Sequence, residues 1–156
     1  MKKILLVLIA CVACLFHANA QQIAIQLWGD NAPVTFQCHT ESDGGDYGKM
    51  ISEQQLEFWE SENGGIDMRQ SFDVTYSKGR CSSGSYIYHG KRQGNKIVFT
   101  TYEDGDAMDG TADVVTIDPS YQAFELEIIS PKQVKWDRCI YNKMRMDFSK
   151  GQWVRE

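Results

Sequence analysis

The residues of this chain best suited to chemistry are few. The densest group is Tyr102-Glu103-Asp104-Gly105-Asp106-Ala107-Met108-Asp109-Gly110, with four acids in nine positions. Closely spaced carboxylates suit calcium, which is held by oxygen ligands. An EF-hand fails here. Asp104 and Asp106 fit its first and third positions, but Met108 stands at the fifth and Asp109 displaces the glycine of the sixth. Val115 occupies the place of the closing glutamate. An irregular calcium site over Asp104, Asp106 and Asp109, with Asp113 added, is the alternative to a solvated turn. Asp and Gly favour turns for backbone reasons alone. The turn is the expectation, with no metal and no cofactor.

Nucleophiles are equally sparse. The stretch Gly79-Arg80-Cys81-Ser82-Ser83-Gly84 carries a cysteine and two serines, but G-x-S-x-G is absent. Cys81 has His39 and His89 as conceivable bases, since a cysteine nucleophile needs one activating partner. Nothing in the spacing joins them, and a loop cysteine in an oxidising compartment is more often bridged. With 21 acids in the chain, a carboxylate pair at glycosidase spacing carries no information. No catalytic residue is expected, and a hydrolytic enzyme ranks third among the functional readings.

The aromatic residues are more informative. Tyr86 and Tyr88 alternate with Ile87 and so share one face of a strand, beside Tyr102 on the next. If Ile87 points inward, the tyrosines stand outward as anchors for a partner or a sugar. The plainer reading is sheet packing.

The elements that position these residues follow from the ends and the periodicity. Residues 1–20 read as a secretory signal: Lys2 and Lys3, an apolar run from Ile4 to Phe16, and a small-x-small site at Ala18-Asn19-Ala20. Lipid anchoring at Cys11 is a minor alternative. The apolar run is too short to span a bilayer comfortably, so no transmembrane segment is expected. The expected product is one domain over 21–156, secreted or periplasmic. It holds 14 basic against 21 acidic side chains, because the leader takes two lysines and no acids. That sign disfavours nucleic acid, whose binding rests on Lys and Arg, and it suits a basic protein partner.

Three cysteines remain beyond the leader, so one bridge at most forms within the chain. Cys38–Cys81 is favoured and Cys38–Cys139 is its rival. Period-two alternation marks strands over 23–28, 34–39, 71–76, 85–89, 96–102, 112–117, 123–129 and 134–141. Short turn spacing then predicts a mostly-β fold, a single antiparallel barrel or sandwich of about eight strands. One short helix is expected near 52–62, where Ser52 and Gln55 suit a capping box and Gly64-Gly65 a stop. The same letters also allow a strand with Leu56 and Phe58 on one side.

In that second case a strict meander puts Asp43, Asp46, Asp104, Asp106 and Asp109 around one mouth. The leading functional expectation is therefore a non-catalytic binding protein, inhibitor- or immunity-like, engaging a basic partner through this acidic end. Its candidate contacts are Asp43, Asp46, Tyr86, Tyr88, Tyr102, Asp104, Asp106 and Asp109. The alternative is a small barrel that carries an apolar molecule. The strand count resembles lipocalin-like carriers, but their G-x-W entry is not present, since Trp28 precedes Gly29.

Overall fold

Residues 49–60 decide the architecture, because they stand between two long partners. The computed structural model describes residues 34–61, 63–107, 112–120 and 124–156. Strand β1 (Val34–Asp43) pairs antiparallel with β2 (Lys49–Glu60), and β2 pairs along its whole outer half and beyond with β3 (Ile66–Tyr76). The helix expected near 52–62 does not form. Ser52, Gln54, Leu56 and Phe58 face one side of β2, while Glu53, Gln55, Glu57 and Trp59 face the other. Two ladders satisfy the backbone along β2, and that outweighs the few tenths of a kcal/mol per residue by which its letters favour a helix. Leu56 and Phe58 are fully buried on the inner face.

The chain continues as a meander. β4 (Cys81–Gln93) and β5 (Lys96–Asp104) form the expected hairpin around Gly94, followed by the short β6 (Val115–Thr116), which pairs with β5. β7 (Glu125–Ser130), β8 (Gln133–Trp136) and β9 (Cys139–Asp147) follow, and β10 (Gln152–Arg155) pairs back onto β9. The sheet order is β1-β2-β3-β4-β5-β7-β8-β9, and β9 pairs with β1 to close it. The result is a closed, eight-stranded antiparallel barrel, with β6 and β10 added at its margin. Closure removes the unpaired edges that an open sheet of this size exposes.

The closing seam is short. Only Thr35, Phe36 and Gln37 pair with Met144, Lys143 and Asn142, and β10 covers the next stretch of β9 on the opposite side, beyond the end of β8. Two sequence expectations change here. Val134–Tyr141 is not one strand: Asp137 and Arg138 both take positive φ, 42° and 69°, and turn β8 into β9 with Trp136 opposite Cys139. Both central residues of a type I′ hairpin need that backbone region. The strand expected over 112–117 shrinks to Val115–Thr116. The export signal over 1–20, the Cys11 alternative, the strand over 23–28 and Asp109 lie outside the described residues. Among the described residues no helix is long and apolar enough to cross a membrane.

The barrel wall is amphipathic with period two, and its interior is packed unevenly. Toward the base, where β1 begins, Val34, Phe36, Leu56, Phe58, Ile66, Met68, Ile97, Leu126, Ile128 and Val134 are buried. Phe36 and Phe58 meet edge to face, with ring centroids 5.7 Å apart. Gly90 sits at a bulge between β4 and β5, where a Cβ would lie 2.5 Å from the Val98 carbonyl oxygen and 2.8 Å from Phe99 Cδ1. No side chain fits between those groups, so glycine lets the two strands close over Phe99.

Candidate functional site

The other end of the barrel holds the site. β1, β3 and β5 all end there, so the turns at 44–48 and 77–80 and the segment after Asp104 surround one mouth. Below them the inward-facing residues change character. Gln54, Gln70, Phe72 and Tyr102 are only half-buried, and Tyr86 is 38% exposed. They face inward, because Gln70 pairs with Leu56 and Tyr86, and Phe72 with Gln54 and Gly84. Inward side chains that keep contact with water mark a recess in this half of the barrel.

The floor of this recess is a hydrogen-bonded set of neutral groups. The Tyr141 hydroxyl donates to Gln54 Oε1, and Gln70 Nε2 donates to the same oxygen at 3.3 Å. The Tyr88 hydroxyl donates to Gln70 Oε1 at 3.2 Å, and Gln54 Nε2 donates to Ser52 Oγ at 3.3 Å. Burial raises the pKa of both phenols, Tyr88 to about 12 and Tyr141 further still. Desolvation is the leading cause in each case, since it penalises the phenolate. The floor is therefore uncharged across the physiological range, and each glutamine still has an amide proton or lone pair unused.

Aromatic rings form the wall. Phe72 stacks on Tyr86 at 6.2 Å, Tyr86 meets Tyr102 edge to face at 6.0 Å, and Tyr102 stacks on Phe124 at 6.3 Å. Tyr88 links this wall to the core, with its ring 5.3 Å from that of Trp136 and 5.6 Å from that of Phe99. The tyrosines thus lie opposite to the outward arrangement considered from sequence. Ile87 faces out, Tyr88 is buried, and Tyr86 and Tyr102 look into the mouth. Gly84 makes the arrangement possible: a Cβ there would stand 3.0 Å from Phe72 Cζ.

The acidic residues have varied work. Asp43 Oδ1 accepts from the Gly45 amide and Asp104 Oδ1 from the Asp106 amide, both at 2.9 Å, so each organises a turn. Asp106 accepts from the Ser85 amide and hydroxyl, both at 2.8 Å, and fastens the end of β5 to β4. Asp46 is exposed, and its carbonyl oxygen accepts from Lys78 Nζ. Asp43, Asp46, Asp104 and Asp106 share one end of the barrel, as a meander requires. The carboxylates of Asp43 and Asp104 are aimed at turn amides and that of Asp106 at Ser85, rather than at a common point. Among the described residues no three His, Cys, Asp or Glu side chains converge as metal ligands.

The structure does not pair Cys38 with Cys81. Cys81 is exposed at the start of β4 on the outer face, opposite Thr75, whereas Cys38 is buried on the inner face of β1. The wall of the barrel separates them. Cys38 instead has Cys139 as its side-chain neighbour, just beyond the β1–β9 seam, and all three thiols are free. Burial first, then Cys139, pushes the Cys38 thiol up to about 11. Among the described residues no cysteine–histidine pair assembles. His89 lies eight positions along β4 from Cys81, about 26 Å of extended chain, and bonds Asp67 at 3.0 Å. His39 is held by Glu53 on the outer face of β1.

Sequence reasoning missed Gln54, Gln70, Phe72 and Tyr141. Their signal is a glutamine on the inward phase of each of two adjacent strands, legible once β2 is known to be a strand. Comparison with known proteins finds no matching family model, no similar curated protein and no similar solved structure. The functional reading therefore rests on this geometry.

Proposed function

We propose that this protein is a non-catalytic binding protein that holds a small molecule with an apolar or aromatic body in the mouth of its barrel. The reading is supported above all by one contrast: the inward residues at the base are sealed, while Gln54, Gln70, Phe72, Tyr86 and Tyr102 stay accessible from the other end. Barrels with accessible interiors commonly hold ligands, and a few convergent polar groups among apolar walls are the usual lining of such sites. The amide floor orients an uncharged polar atom of the ligand, and the rings supply contact area. The export signal read in the leader makes the envelope or the extracellular space the place of action. In this reading the chain performs no covalent chemistry.

The test is native mass spectrometry of the chain produced with its own leader, alongside a double variant with Phe72→Ala and Tyr86→Ala. The expected result is an organic mass retained by the natural chain and absent from the folded variant. A bare chain that also fails to take up a neutral solvatochromic dye would defeat the reading. The same spectra report leader cleavage after Ala20 and any lipid on Cys11.

A second reading places a basic protein on the lip itself. Its support is exposed Tyr47, which Arg80 covers at 4.8 Å and Tyr76 flanks at 5.7 Å, next to Asp43 and Asp46. It predicts an association rate that falls steeply with salt and loss of binding in Tyr47→Ala with the mouth untouched.

A further inference from the structure

The mouth unites aromatic rings with carboxylates that form no ion pair among the described residues, and we propose that its occupant is an organic cation, an ammonium or amidinium group on an apolar body. This rests on the small-molecule reading above and narrows it to one ligand class.

Three carboxylates act on the recess. Asp104 lies directly across the ladder from Tyr86, in the row that runs from Leu56 through Gln70. The Asp106 carboxylate, held by Ser85, stands at the same end. A Cβ built on Gly84 would stand 3.5 Å from Asp106 Oδ2 and 3.0 Å from Phe72 Cζ, so ring and carboxylate border the same gap. Asp137 stands at the same end, in the tight turn between Trp136 and Cys139.

None of these three aspartates belongs to an ion pair among the described residues, whose pairs use Glu41, Glu53, Asp67, Glu103, Glu125, Asp147 and Glu156. The cations at this end are engaged elsewhere. Lys49 pairs with Glu41 on the outer face, Lys78 donates to the Asp46 carbonyl and Arg80 lies over Tyr47. Arg138, exposed beside Asp137, forms no ion pair among the described residues and is a competing charge at this end.

The chemistry follows from these groups. The rings of Phe72, Tyr86 and Tyr102 stand together in the mouth, and an aromatic face carries the negative part of the ring quadrupole, which attracts a cation. Carboxylates at the rim of a low-dielectric recess focus a negative field into it. An anionic ligand meets repulsion from both, and a neutral one gains nothing from the aspartates. An organic cation uses the whole set, with its apolar body over the rings and any hydroxyl or carbonyl on Gln54 or Gln70.

The test compares three probes of one shape: phenyltrimethylammonium, its neutral isostere tert-butylbenzene, and benzenesulfonate. Calorimetry at low ionic strength gives the Kd values, and the tyrosine ring resonances locate the site. The ammonium is expected to bind about tenfold more tightly than the neutral isostere, within the range of a cation–π contact assisted by charge. Tyr86→Leu, which removes the π face but keeps apolar bulk, is expected to erase about half of that preference in logarithmic terms, and Tyr86→Phe to keep it. Asp104→Asn combined with Asp137→Asn retains the turn acceptor at 104 and is expected to weaken the salt dependence, with Asp106 left to supply the remainder. Equal or tighter binding of tert-butylbenzene or benzenesulfonate overturns the cation inference and leaves the ligand reading standing. If none of the probes shifts the Tyr86 and Tyr102 resonances, both fail.

Discussion

The two ends of this barrel are made by the same strands and differ in almost every physical respect. At the base, inward positions carry Phe36, Leu56, Phe58, Met68 and Leu126, all fully buried. A few residues along the same strands, the inward positions become Gln54, Gln70, Phe72 and Tyr86, which touch water and one another through amides and rings. The base does the folding and the mouth is released from it. A barrel wall is continuous and stiff, so one end can supply most of the stability while the other keeps an unfilled recess.

That division can be broken or sharpened by substitution. Phe58→Ala leaves a hole in the sealed half and is expected to cost about 3–5 kcal/mol, read as a lowered urea midpoint. Tyr86→Ala, which alters an exposed ring, is expected to cost under about 1 kcal/mol. Equal losses would mean that the mouth is as tightly packed as the base. Gly90→Ala forces a methyl against the Val98 carbonyl and Phe99 and is expected to cost up to about 3 kcal/mol, although no ligand-facing residue changes. Gln54→Leu removes the acceptor shared by Tyr141 and Gln70, with an expected cost of about 1–2 kcal/mol. Adding Tyr141→Phe should recover part of it, since the stranded hydroxyl is then gone; no recovery would deny that the floor is one network.

The smallest effect is a pH dependence. Cys38 holds its proton more tightly in the folded chain, with its pKa raised from 9.0 to about 11. The unfolded chain therefore binds fewer protons between these values, and stability falls as pH rises from 9 toward 11. Tyr88, raised to about 12, extends the loss upward from its ordinary value of 10.0. Cys38→Ala should flatten the first part of that fall in urea midpoints measured against pH. At pH 8, iodoacetamide should label exposed Cys81 well before Cys38, since only the thiolate reacts.

The strands were legible where alternation meets turn chemistry, as in Lys96–Asp104 after Gly94. They were misread where local preference and tertiary pairing disagree. Residues 52–62 carry the capping letters of a helix, yet β1 and β3 make the part up to Glu60 a strand of the wall. The turn at Asp137-Arg138 was hidden because arginine is a poor resident of the left-handed region, and only the closing of β8 onto β9 holds it there. The site was half legible. Asp104 and Asp106 were expected at one mouth and lie there, whereas Tyr86 and Tyr102, considered as outward anchors, face inward. A one-residue change of phase reverses which face is inside, and nothing in Ser85 to His89 declares the phase.

What the sequence determined by itself is the class of fold, because period-two alternation and short turn spacing are properties of the chain read locally. The acidic balance and the cysteine count belong with it, being sums over residues. Tertiary structure alone decided which face of each strand is inside, since that depends on closure of β9 onto β1. It thereby placed Cys38 beside Cys139 rather than Cys81. It also brought Gln54, Gln70 and Tyr141 together on the floor of the mouth, across as many as 87 positions of chain.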